Sequence, residues 1–219
     1  MQKASRDLVA DAKDRLTDPA PLIALLEKAL TGKDLSEKAA RDIAVLLAGL
    51  RHDGLTPAQV HFRLNAAQIH NAIRKHVDLA THPADPRFRQ TYMDRLMTRF
   101  RKIRPAQVHF GNVLDEQASA RRMFMLIQQI VKHIDGHSPI RFLIAETESS
   151  LTVMAALFLA RRFGVEAHVD ICPLFETERA LERGSRIIEH LLDVPEFVAY
   201  IRRRGRLCIQ TGYSDAGRY

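Results

Sequence analysis

Two apolar, β-branched runs near the end of the chain each stop on a carboxylate, and this pair limits the possible folds more than any other feature. The first reads HVDICPLFE and closes on Glu176; the second reads RLCIQTGYSD and closes on Asp215. Each has the length and composition of a strand, and helical patterning lies between them. Successive parallel strands of one sheet present their C-terminal ends at the same edge, where α/β folds build their sites. Glu176 and Asp215, far apart in sequence, are therefore expected to be neighbours at a site mouth. Two carboxylates held there suit a hard divalent cation, with water and substrate oxygens completing its shell.

The same alternation of strand and helix extends upstream. Residues 1 to about 56 read as helices, with Leu22, Ile23, Leu25, Leu26 and Leu30 on one apolar face and Leu35, Ala39, Ile43, Leu46, Leu47 and Leu50 on another. Asp34, with Glu37 three residues on, resembles a helix start, and the helix is expected to end near His52–Gly54. Then the hexapeptide PAQVHF occurs twice, at Pro57–Phe62 and Pro105–Phe110. Each copy is a proline-led β-prone run, followed by helical patterning at Ala66–Leu79 and Leu114–Ile134, which suggests repeated strand–helix units. A third unit pairs the strand IRFLIAET with a helix over Ser149–Phe163, capped by Gly164. A fourth runs from His168 to Phe175 and into a helix over Glu178–Leu192. A short helix, Pro195–Arg203, leads past Gly205 to a fifth strand, Leu207–Thr211. Such alternation implies parallel strands with right-handed crossovers. Five units are too few for an eight-stranded barrel, so the expectation is an open sheet or part of a barrel. The chain stops at Tyr219 within about a turn of a strand-end loop, which reads as truncation.

Composition narrows the function classes little. At 46% hydrophobic and 27% charged residues the chain is globular rather than disordered. A net charge of +7 permits nucleic acid, a membrane surface or an anionic metabolite as partner. With no Trp and 6% aromatic residues, a base-stacking platform has little support. Cys172 and Cys208 fall inside expected strands and read as small buried hydrophobes. No signal-type apolar segment opens the sequence, and its longest apolar run, Val153–Ala160, is far too short to span a bilayer. A cytoplasmic protein without disulfides or a membrane partner is expected.

PLFET at Pro173–Thr177 and GYSD at Gly212–Asp215, in this order and at this separation, resemble phosphoenolpyruvate carboxylase. The likeness extends over about Ile140 to Arg218, including FLIAETESSLTVMAALFLARRFG. The resemblance implies a helix-rich α/β fold: here, a partial β/α barrel of TIM type with parallel strands (57–219) behind an N-terminal helical segment (1–56). It implies carboxylation of phosphoenolpyruvate by bicarbonate to oxaloacetate and phosphate, through carboxyphosphate and a pyruvate enolate. Glu176 and Asp215 match the carboxylates that hold the family's magnesium or manganese. Leu174 matches a residue of the apolar pocket for carbon dioxide. Arg218 stands where the family has a lysine; it keeps the cation near substrate, with a longer fork that does not shed its proton. In the full-length enzyme the resemblance implies a homo-oligomer.

The chain also departs from the family pattern. Ala216 replaces a serine, and Gln210 and Thr211 replace apolar residues before GYSD. The family's D-I-R-Q-E-S strand, whose arginine contacts the substrate phosphate, aligns with VHFRLNAAQIH; that places Asn65 at the arginine, with Arg63 on the same strand face. His82 in ATHPADP looks like a family catalytic histidine motif but lies in the wrong place, and reads as a loop histidine before proline. The family's H-G-R-G-G loop is not reached. The isolated chain is therefore expected to be inactive. Basic clusters at Arg99–Arg104 and Arg202–Arg206 read first as solvated helix ends. Two competing functions remain: a non-catalytic binding or assembly module using this basic surface, and another metal-dependent barrel lyase acting on a keto acid.

Overall fold

The computed structural model describes residues 16–32, 35–56, 58–78, 80–81, 85 and 87–212. Its first described helices are α1 (Ala20–Leu30) and α2 (Glu37–Asp53), which pack on each other. The cap of α2 is Ser36, whose Oγ accepts the Ala39 N–H at 3.2 Å, rather than the Asp34 suggested by sequence; Asp34 lies outside the described residues. Gly54 ends α2 at a φ of 69°, a backbone angle that a side chain would strain. This helical pair is tied to the rest through Asp135. Its carboxylate accepts hydrogen bonds from the Thr56 hydroxyl (2.6 Å) and from the His137 and Ser138 amides (2.8 and 2.9 Å). Burial works to raise the Asp135 pKa, but these donors outweigh it and hold the carboxyl at about 2.

Four parallel strands follow in one sheet: β1 (His61–Asn65), β2 (Ile140–Ala145), β3 (Val169–Phe175) and β4 (Gln210–Thr211). Their spatial order is their chain order. The helices α3 (Ala66–Val77), α4 (Arg89–Phe100), α5 (Phe110–Asp115), α6 (Ser119–His133), α7 (Ser150–Arg162), α8 (Glu178–Leu192) and α9 (Pro195–Arg204) fill the intervals. Alternation along β2 turns Ile140, Phe142 and Ile144 into the core and leaves Arg141 exposed. Phe142 stacks on Phe124 of α6 with ring centroids 4.5 Å apart. The centre of this layer is α7. It is buried on every side from Leu151 to Ala160, with Thr152 the one polar side chain of that span, and turns basic only at Arg161 and Arg162.

Two expected strands differ from the sequence reading. The second PAQVHF copy forms no strand; residues 103–109 carry no regular secondary structure, and α5 begins at Phe110. Its backbone is satisfied by side chains instead. Gln128 of α6 accepts the Val108 N–H (3.0 Å) and donates to the carbonyls of Ala106 (2.8 Å) and Phe163 (2.7 Å), while Gln129 donates to Val108 (3.0 Å). The helix expected over Leu114–Ile134 is accordingly two, α5 and α6. The strand expected over Leu207–Thr211 shrinks to the two residues of β4. At the start of β3, the Tyr200 hydroxyl accepts the Ile171 N–H (2.9 Å) and donates to the Val169 carbonyl (2.8 Å), occupying the edge that a longer β4 would use. Pro173 then offers no amide there. Pairing is left to Leu174–Gln210 and Phe175–Thr211, and the Gly212 N–H donates to Phe175 O at 3.2 Å.

Candidate active-site edge

The C-terminal ends of β1, β2 and β3 meet at Glu176. This residue directly follows β3 and is 8% exposed. A buried carboxylate needs partners, because its desolvation costs several kcal/mol. Glu176 has two. Its Oε1 accepts the backbone N–H of Glu146 at 3.0 Å, and its Oε2 accepts Arg63 Nη2 at 3.2 Å. Glu146 presents that amide from a left-handed conformation (φ 57°), one of two non-glycine residues with positive φ among the described ones. Such a conformation costs about 1–3 kcal/mol in a residue with a Cβ. Here it turns the chain leaving β2 so that its amide faces the acid.

Arg63 lies on β1, so its guanidinium spans β2 to reach the end of β3. Its side chain is 60% exposed. Asn65, the alternative suggested by alignment, is committed elsewhere. Its Oδ1 accepts the Gln68 N–H at 3.0 Å and Gln68 reciprocates at Asn65 N, making the capping box that starts α3. The signal for Arg63 in the sequence was its parity with Asn65 along the strand; what sequence could not provide was Asn65's capping duty.

Around this edge the backbone is fixed by buried hydroxyls. Thr147 donates to Ile144 O (2.7 Å), and Thr152 joins Ser149 (3.0 Å) to His70 Nε2 (2.9 Å). Thr177, the last residue of PLFET, caps α8 by accepting the Ala180 N–H at 3.1 Å. Leu174 is 4% exposed, and β3 runs through Pro173 to Phe175 without a break. Gly212 sits against Leu174: a Cβ there would lie 3.6 Å from Leu174 Cδ1. The first residue of GYSD thus lies beside the last residues of β3. Asp215, Arg218, Ala216 and His82 lie outside the described residues.

A carboxylate such as Glu176 offers the oxygen donor that a hard cation takes. Each Glu176 oxygen makes one hydrogen bond and keeps capacity for another ligand. Among the described residues no three His, Cys, Asp or Glu side chains converge on one point. Cys172 offers no soft alternative, since burial pushes its thiol up to about 11. Among the described residues no helix is long and apolar enough to cross a membrane.

The sequence profile of the family described as phosphoenolpyruvate carboxylase matches residues 4–218. A phosphoenolpyruvate carboxylase of Thermus sp. (strain 71) is 26% identical over 205 residues, covering 91% of this chain and 23% of the relative. That of Tolumonas auensis is 31% identical over 77 residues, 35% of this chain and 9% of the relative. That of Xanthomonas campestris pv. campestris is 34% identical over 83 residues, again 35% and 9%. The chain therefore spans less than a quarter of the length of these curated relatives.

Proposed function

The chain belongs to the phosphoenolpyruvate carboxylase family, and from that premise we propose that it forms the metal-holding edge of such an enzyme's barrel. The reaction is carboxylation of phosphoenolpyruvate. A bicarbonate oxygen attacks phosphorus, the bond from phosphorus to the enol oxygen breaks, and carboxyphosphate and pyruvate enolate result. Carboxyphosphate then releases carbon dioxide and phosphate, and the enolate carbon attacks carbon dioxide to give oxaloacetate.

Glu176 and Asp215 hold Mg2+ or Mn2+. The ion supplies positive charge where the enolate oxygen develops its own negative charge. Arg63 and Arg218 orient the phosphoryl and carboxylate oxygens through their N–H forks. Leu174 gives carbon dioxide an apolar wall, which excludes water from a species that water would hydrate. The Glu146 amide and the Arg63 guanidinium hold the Glu176 carboxylate in place and aim it. The buried, doubly hydrogen-bonded Glu176 at a strand end is the observation that carries this reading.

A partial TIM-type barrel over 57–219, behind a helical segment over 1–56, is the architecture that fits. In support, strand order never reverses, as it does in doubly wound sheets. Arg63 and Arg141 also leave one face of β1 and β2 open to solvent, where further strands would curl over.

Mn2+ binding followed by electron paramagnetic resonance tests the site. Glu176→Gln and Asp215→Asn should each weaken Mn2+ at least about tenfold; unchanged affinity in both removes the metal role. The isolated chain, at 23% of its Thermus relative's length, should form no oxaloacetate from phosphoenolpyruvate, bicarbonate and Mg2+. Turnover by the isolated chain would show that it is complete in itself.

A further inference from the structure

At the opposite edge of the sheet, α3, α4 and α7 end around a cleft of about 550 Å3. Four cations line it, Arg95, Arg99, Lys102 and Arg162, against a single carboxylate, Asp78. The thirteen residues of α7 place this cleft about 20 Å from the Glu176 edge, at 1.5 Å per residue.

Cations at helix C-termini are ordinary, since they offset the carbonyl end of the dipole. Two of these are committed to backbone carbonyls: Arg95 donates to Val77 O at the end of α3 (3.1 Å), and Arg162 to Arg104 O in the segment after α4 (3.0 Å). Arg99 and Lys102 are not. Among the described residues neither side chain makes a hydrogen bond or ion pair, although both face the same concavity. His76 lies on its floor, with its ring 5.4 Å from that of Phe158. The His76 pKa is lowered by burial first and then by Arg121, Arg99 and Arg162, reaching it from α6, α4 and α7. An open cleft between three helix ends, of a volume within the usual range for metabolite sites and holding guanidinium and ammonium groups without a described partner, suits a compact multivalent anion.

We propose that this cleft binds a small phosphoryl-bearing anion, gripped by Arg99 and Lys102 and steadied by Arg95 and Arg162. The helix dipoles oppose a bare anion here, so these four side chains supply the attraction and binding is salt-sensitive. The site is separate from the carboxylating edge and does not depend on the assignment of that edge.

Titration of the 219-residue chain with inorganic pyrophosphate by calorimetry at low salt tests it. Binding should weaken at least about tenfold in Arg99→Gln/Lys102→Gln, a change to exposed side chains that should leave the thermal melt in place. In the unaltered chain, saturating pyrophosphate should raise the His76 pKa followed by NMR, a readout that needs no variant. Succinate in place of pyrophosphate separates the sources of the charge: binding by succinate alone would overturn the phosphoryl assignment. Absence of binding, or binding that neither moves His76 nor responds to the double variant, would overturn the site. So would a short RNA that binds through Arg99 and Lys102 and is not displaced by pyrophosphate.

Discussion

The same six residues, PAQVHF, lie at 57–62 and 105–110 and end in different structures. In the first copy His61 and Phe62 enter β1 and pair with Arg141 and Phe142. In the second, His109 precedes α5 and Phe110 is its first residue. Intrinsic preference is identical, so context decides. After the first copy comes RLN, which continues the strand until Asn65 caps α3. After the second comes GN, and Asn112 reaches back to accept the His109 N–H at 2.9 Å, turning the chain into a helix four residues earlier in the motif. The backbone groups left without a ladder are taken by Gln128 and Gln129. A β-prone hexapeptide becomes a strand only where a neighbouring strand is available to it.

This contrast can be broken from either side. The largest effect is expected at Leu64, 6% exposed on β1: Leu64→Ala should cost about 2–5 kcal/mol in urea unfolding by creating a cavity under the first copy. Next is Gln128→Leu, which keeps volume but strands the Ala106 and Phe163 carbonyls and the Val108 amide. A loss of about 2–3 kcal/mol is expected, with faster hydrogen exchange at Val108. A Gln128→Leu protein as stable as the original would show that water serves that backbone equally well. The smallest and sharpest test compares the caps. Asn65→Ala should cost about 1 kcal/mol, and Asn112→Ala less, since α5 has six residues and one buried side chain, Val113. Equal losses would mean that the two copies are followed by helices of equal importance.

The legible parts of the fold were those with strong periodicity. The bounds of α8 and of β3 read directly from alternation and from PLFET, and the carboxylate at the β3 end could be named from its place alone. Illegible parts were those fixed by distant side chains. Nothing near residue 105 announces that two glutamines twenty-odd residues later will take its backbone. Nothing near Leu207 announces the Tyr200 hydroxyl, and only the basic end of α4 shows in the sequence, because its buried face, Tyr92, Leu96, Met97 and Phe100, sits among many charges. At the candidate site the acid was readable and its partners were not. The Glu146 amide is a backbone feature made by positive φ, and Arg63 depends on a reach across a whole strand.

The Tyr200 phenol performs the job of a missing strand residue along the outer margin of β3. Because that margin is filled at one end and has an imino acid next to it, an incoming strand finds a single docking phase. Sliding by two positions would require evicting a buried ring that is 3% exposed. Gly212 is thereby indexed to Phe175 like a tooth to its notch, and the phase of β4 against β3 is set by a side chain of α9, the helix that precedes it.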